Sequence, residues 1–182
     1  MWRYLIDKEL DFNLLFNTVE DFILVLDYES NILKANHAIL EKLGYTIDEI
    51  LNMNVLDIHR REDREAVILT INEMIKGNLD TCTLPIISKR GEVIPVNTKT
   101  TLGKWGEKDI IFGISRDISE IKKIQDDLIE AKRFLSNIFT SIQDGISVLD
   151  KDLNIIKVNP TAERWYSVSM PVIGKKCYEV YH

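Results

Sequence analysis

Cysteine is scarce: Cys82 and Cys177 are the only two in 182 residues. They form no CxxC pair, no Cys/His array and no disulfide framework, which suits a reducing compartment. Long apolar runs are missing as well. No stretch approaches the ~20 residues that cross a bilayer, and the charges within Met1–Leu10 come too early for a signal peptide. With Met1 as the start, the expectation is a cytoplasmic chain without a membrane segment. Positive charge is in deficit, with 23 Lys and Arg against 29 Asp and Glu and a net charge of −6. Lys89-Arg90 and Lys175-Lys176 are isolated pairs, so no basic face for nucleic acid is expected. Catalytic signatures are missing too: no P-loop, GxSxG, HExxH or Cys/His nucleophile spacing occurs, and the carboxylates read as solvated helix faces. A non-enzyme is expected. What remains is 45% apolar and 29% charged, a globular rather than a disordered composition.

The chain is organised by a repeat. Shifted by 123 positions, Phe16–Asn36 falls on Phe139–Asn159 without a gap. The identities include Phe16/Phe139, Asp21/Asp144, Asp27/Asp150, Asn31/Asn154, Lys34/Lys157 and Asn36/Asn159. In each copy an apolar run (Phe22–Leu26; Ile146–Leu149) meets an Asp/Asn turn and a second apolar run, the pattern of a β-hairpin. Asn36 and Asn159 follow at the N-cap position of a helix. In the first copy Gly44 is a natural helix stop, and Thr46-Ile-Asp-Glu49 reads as a capping box. Glu62–Lys76 reads as a longer amphipathic helix ended by Gly77. Strands are expected over Thr81–Ile87, Val93–Leu102 and Ile110–Ile118. Pro85 and Pro95 mark edges or bulges there. Strands, then helices, then strands predict an α+β domain with an antiparallel sheet.

Gly44-Tyr-Thr-Ile-Asp-Glu-Ile50, Leu56-Asp-Ile-His-Arg-Arg-Glu-Asp-Arg-Glu65, Lys89-Arg-Gly-Glu-Val-Ile-Pro-Val96 and Ile114-Ser-Arg-Asp-Ile-Ser119, in this order, resemble the words of the PAS domain (S-box type). The second word lacks the usual proline and has one residue inserted. The resemblance implies a PAS fold: a five-stranded antiparallel sheet in the order 2-1-5-4-3, with helices on one face enclosing a small cavity. It divides the chain into an N-terminal helix (1–16), a complete PAS domain (17–119), a helical connector (120–141) and the first part of a second PAS domain (142–182). It further implies a sensory input module that responds to a small ligand or partner. The implied output is a histidine kinase in a two-component phosphorelay, although the kinase's own phosphoacceptor and glycine boxes do not occur in this sequence. A constitutive dimerisation scaffold is the alternative, as is an input to a transcription regulator or cyclic-dinucleotide enzyme.

From Ile121 the apolar residues Ile121, Ile124, Leu128, Ala131, Leu135, Ile138 and Ile142 alternate at spacings of three and four. A repeat of 3.5 residues favours a parallel coiled-coil seam over a helix packed on its own sheet. A homodimer through the connector is therefore expected. Asp117 and Ser119, where the last strand passes into this helix, are the expected signal-transfer residues, with Ser119 as N-cap. Leu5, Phe12 and Leu15 repeat the arrangement one unit earlier, with Lys8 in the place of Ala131.

The three histidines receive separate readings. His37 follows an N-cap, His59 reads as a surface or capping residue before the long helix, and His182 is last. Haem-holding members of the family place a histidine on the long helix, and Glu62–Lys76 has none. Photoreactive flavin members carry a cysteine where Asn54–His59 has none. Both cofactors are disfavoured, and no metal or catalytic residue is expected. Cys82 alternates with Leu84 and Ile86, so it is expected to face the core. Cys177 lies in Lys176-Cys-Tyr-Glu-Val-Tyr-His182, which resembles a subgroup with further cysteines downstream.

Overall fold

The computed structural model describes residues 12–166 and 171–181. Leu5 and Lys8 of the earlier heptad, most of the expected 1–16 helix, and His182 lie outside them. The chain separates into two compact units, Met1–Lys122 and Lys123–His182.

The first unit opens with helical residues 12–18 (α1), followed by the hairpin β1 (Phe22–Leu26) and β2 (Ile32–Ala35). Next come α2 (His37–Leu43), α3 (Ile47–Ile50), two 3-10 turns at Val55–Ile58 and Arg61–Asp63, and α4 (Arg64–Ile75). The strands β3 (Thr81–Cys82), β4 (Ile86–Ile87), β5 (Val93–Ile94), β6 (Val96–Trp105) and β7 (Lys108–Asp117) complete it. The main sheet is antiparallel in the order β2-β1-β7-β6-β3. This is the expected 2-1-5-4-3 order with its third and fourth strands each broken in two.

The breaks have a local cause. The expected strand over 81–87 is two pieces: β3 pairs with β6, while β4 leaves the sheet and pairs with β5. Pro85 and Pro95 stand at the two partings. A proline has no N–H for the ladder, so the chain changes partner there. The last hairpin is also longer than expected. β6 and β7 pair as far as Trp105↔Lys108, leaving Gly106-Glu107 as a two-residue loop. Gly106 takes φ 62, as a II′ turn requires at its first central position. Trp105 is held beyond its own propensity: the Lys34 ammonium lies 4.4 Å from its ring and 5.3 Å from that of Phe12.

Alternation along the strands creates two apolar layers. On the inner face Phe22, Leu24, Leu26 and Ile111 pack with Ile39, Leu43, Ile50, Ile58 and Val67 of the helical segments. On the outer face Ile23, Val25 and Ile110 pack with Phe16 of α1. Every residue of β1 is buried, consistent with its place between β2 and β7. Burying one such side chain contributes about 1.5–3 kcal/mol.

Helix α5 (Ser119–Ser141) follows β7 after Ile118 alone. The second unit then repeats the hairpin as β8 (Ser147–Leu149) and β9 (Ile155–Val158), followed by α6 (Pro160–Trp165) and α7 (Cys177–Val180). The likeness reaches individual bonds. Asp27 and Asp150 each accept from the amide and side chain of the asparagine four residues on. Ser30 and Leu153 are both left-handed, at φ 68 and 64. The register shifts between Val25 and Leu26 in one copy and between Val148 and Leu149 in the other.

The copies differ in cover. Among the described residues β8 pairs with β9 alone, and Val148, Leu149 and Ile156 are exposed. Amides of Ile23–Val25 are therefore expected to exchange with solvent more slowly than those of Ser147–Leu149, by on the order of 100-fold or more. Hydrogen exchange read by mass spectrometry checks this, and equal protection would contradict it.

Candidate functional site: the cavity and the joint to the connector helix

A cavity of about 70 Å³ lies between the inner face of the sheet and the helical segments. Each wall follows from local structure. β7 presents Ile111, Gly113 and Ser115 at alternate positions, and β6 presents Thr98 and Thr100 opposite. Helix α4 supplies Val67, Thr70, Ile71 and Met74, while the turn before it supplies Val55, Ile58 and His59. Cys82, expected to face the core, is part of the lining. Burial pushes its thiol pKa up, against a contact from the Leu84 amide, so it is a neutral thiol.

His59 departs from expectation: it is 8% exposed, not a surface residue. Asn54 caps the 3-10 turn by accepting from the Leu56 amide, and that turn carries His59 inward over Val55. Its Nδ1 lies 2.9 Å from the Val55 carbonyl oxygen. A carbonyl can only accept, so Nδ1 carries the proton and Nε2 of the neutral ring is an acceptor. Burial is the largest influence and holds the imidazole below its ordinary value; the Val55 bond and Asp63 oppose it, while Arg64 adds to it. The unfolded chain thus takes up the proton first as pH falls. The contribution of a neutral His59 is complete above the ordinary value of about 6.5 and is lost progressively below it. Denaturant midpoints at pH 7.5 and 5.5 should fall further for the native chain than for His59→Gln. Parallel curves would contradict the assignment.

His37, by contrast, is exposed on α2, with its Nε2 3.9 Å from Glu41.

Two polar pairs complete the wall. Thr98 Oγ1 and Ser115 Oγ are 2.7 Å apart across the β6–β7 ladder. Thr70 donates to the Ala66 carbonyl one turn back on α4. Among the described residues no charged side chain is part of the lining.

The strand that forms this wall also starts the connector. Asp117 ends β7, and its carboxylate accepts from the Ser119 amide at 2.8 Å and meets Lys42 of α2 at 2.7 Å. The expected cap on α5 is thereby displaced: Ser119 is the first helical residue, and Asp117 satisfies its N–H. Burial pushes the Asp117 carboxyl up, but the Lys42 ammonium with the Ser119 hydroxyl and amide outweighs it and holds the pKa below the usual value. Arg116, next to it, grips Asp21 through two bonds of 3.1 and 3.0 Å, tying β7 to the entry of β1.

The expected seam residues Ile121, Ile124, Leu128, Ala131, Leu135 and Ile138 all lie on α5, and none is buried within the chain. Ile142 stands just past the helix end. Its amide still bonds the Ile138 carbonyl, and its own carbonyl accepts from Asn159 and Thr161.

That last contact exposes a role for the repeated asparagine that the N-cap signal did not reveal. Asn36 is 0% exposed; its Oδ1 accepts from Ile23 and Ile39 amides and its Nδ2 donates to the Val19 and Asp21 carbonyls. Asn159 makes the same four bonds to Ile146, Ala162, Ile142 and Asp144. In each copy one side chain joins the segment behind a preceding helix to the first strand and the next helix.

The PAS domain family matches residues 20–120, and again residues 133–181. A curated relative, the methyl sulfide methyltransferase-associated sensor of Methanosarcina acetivorans, is 27% identical over 65% of this chain and 12% of its own length. Sporulation kinase E of Bacillus subtilis is 26% identical over 84% of this chain and 20% of its own. The chain thus spans a fifth or less of these relatives. A crystal structure of a PAS domain from Desulfitobacterium hafniense superposes with a TM-score of 0.50 at 32% identity, covering 56% of this chain and 95% of that one. With its five-stranded sheet, its walled cavity and this match over more than half its length, the chain belongs to the PAS domain family.

Proposed function

We propose that this chain is a ligand-responsive input module that relays the state of its cavity, through α5, to an output domain outside this sequence. A histidine kinase of a two-component phosphorelay is the output proposed, in keeping with the likeness to a sporulation kinase. One observation carries the reading: the strand that lines the cavity with Ile111, Gly113 and Ser115 is the strand whose end, Asp117, caps α5. A shift of β7 is then felt at the helix start without an intervening loop. Asp117 and Ser119 transfer the signal, and a coupling of about 1–3 kcal/mol is enough for regulation.

The relay calls for a homodimer. The exposed seam of α5 fits a second copy of itself, and the flanks add charge complementarity. In a parallel pair Asp127 of one helix faces Lys132 of the other, five positions on. The cavity, at about 70 Å³, is less than half the roughly 150 Å³ that holds one benzene. The same small volume favours the second reading, a constitutive dimerisation module with no ligand.

Native mass spectrometry of the purified chain separates the two. Dimers carrying a stoichiometric small molecule support the sensory reading. Dimers that are empty in repeated preparations support the scaffold, and monomers contradict both.

A further inference from the structure

The polar groups in the cavity wall are few enough to count. Thr70 has spent its proton on Ala66, Thr100 reaches the Asp80 carbonyl at 3.5 Å, and the Cys82 sulfur takes the Leu84 amide. The hydroxyl oxygens keep spare lone pairs, and beyond these, two groups have a capacity of their own unused. His59 has Nε2 without a partner among the described residues, an acceptor once Nδ1 donates to Val55. The Thr98–Ser115 pair uses one of its two hydroxyl protons internally, so one O–H is left to donate. Gly113 lies between Ile111 and Ser115 on the same face of β7. A Cβ added there would meet nothing nearer than the Leu24 oxygen at 3.8 Å and the Thr98 and Thr100 methyls at 3.9 Å. The missing side chain leaves room where a guest can approach the strand.

We propose that this cavity takes a small uncharged molecule whose one polar group both donates and accepts, a hydroxyl or primary amide on a short apolar tail. The proposal rests on the ligand-sensing reading above. Such a group gives a proton to His59 Nε2 and receives one from the Thr98–Ser115 pair. A pure hydrocarbon leaves both unsatisfied. A carboxylate or an ammonium brings a charge into a wall that holds no counter-charge. Against the roughly 150 Å³ of a benzene-sized void, the volume admits about three or four non-hydrogen atoms. Gly113 is the seat, and His59, Thr98 and Ser115 select the polar group.

The test is an amide and imidazole NMR titration of the full chain with five probes: 1-propanol, acetamide, acetate, propylammonium and xenon. Saturable shifts at His59, Gly113 and Ser115 are expected with the first two and not with the charged pair. Thr98→Val combined with Ser115→Ala, which removes both hydroxyls, should weaken 1-propanol roughly three- to tenfold, the worth of one hydrogen bond. Gly113→Val should abolish its binding; if that variant does not fold, Gly113→Ala should weaken binding. Xenon binding with no saturable alcohol or amide shift, or the double variant without effect, would overturn the polar class while leaving a ligand cavity in place. Saturable binding of acetate or propylammonium would overturn it equally. If no probe enters, xenon included, the proposal and the ligand-sensing reading fall together.

Discussion

Asn36→Ala should lower the stability of the first unit by about 3–5 kcal/mol, because each buried partner left unsatisfied costs about 1–3 kcal/mol and water recovers only part of that. In a domain of this size such a loss lowers the melting temperature by more than about 10 °C. The substitution strips four bonds at once from a fully buried side chain, orphaning the Ile23 amide and the Val19 and Asp21 carbonyls at the foot of β1. Asn36→Asp is a sharper control. It keeps the Oδ1 acceptor but replaces the donor with a second acceptor that faces two carbonyls. It should therefore be about as damaging. Asn159→Ala should leave the first unit intact and destabilise the second, where it frees the Ile142 carbonyl behind α5 from one of its two partners. Chemical denaturation followed by tryptophan fluorescence and hydrogen exchange measures each. A loss below about 1 kcal/mol for Asn36→Ala would mean that these four bonds do not hold the foot of β1.

The second large effect concerns association. Leu128 is 68% exposed within the chain and lies on the seam, whereas Ile129 is 51% exposed and lies off it. Leu128→Glu would place two facing carboxylates at the centre of a paired helix, where a buried charge without a partner costs several kcal/mol. The dimer dissociation constant should rise by at least about 100-fold. Ile129→Glu, a change of the same chemistry one residue away, should leave it within about threefold. Neither variant should unfold the chain, because neither side chain is buried in it. Sedimentation velocity over a range of concentrations reads both. Equal effects, or a native chain that stays monomeric at high concentration, would remove the dimer from the account.

Much of this architecture was legible because it is local. The twin Asp/Asn turns, the Thr46–Glu49 capping box and the asparagine caps depend on residues within four positions of one another, and all are present. What sequence reasoning missed depends on distant pairing. Pro85 marked an edge or bulge, but the partner β4 would choose is decided by β5 across a turn. The Thr98–Ser115 pair exists only because of the β6–β7 register. His59 was misplaced although a signal was present. Asn54 is a good cap, and Val55 and Ile58, three apart and both buried, mark a short turn with an inward face. That spacing would have placed His59 against the core rather than in a loop. The cap on α5 went to Asp117 because Lys42, far away in sequence, fixes that carboxylate beside the helix start.

The central claim is that a change in the cavity reaches the paired helices through Asp117. The direct measurement is the distance between the two copies of α5, read by pulsed electron resonance from labels at position 126 introduced without altering Cys82 or Cys177. Gly113→Val serves as a built-in occupant. The distance distribution should shift between the native chain and Gly113→Val, and the shift should shrink markedly when Asp117→Asn is added, since that change removes the charge facing Lys42. Superimposable distributions for the native chain and Gly113→Val would show that the helix does not feel the cavity.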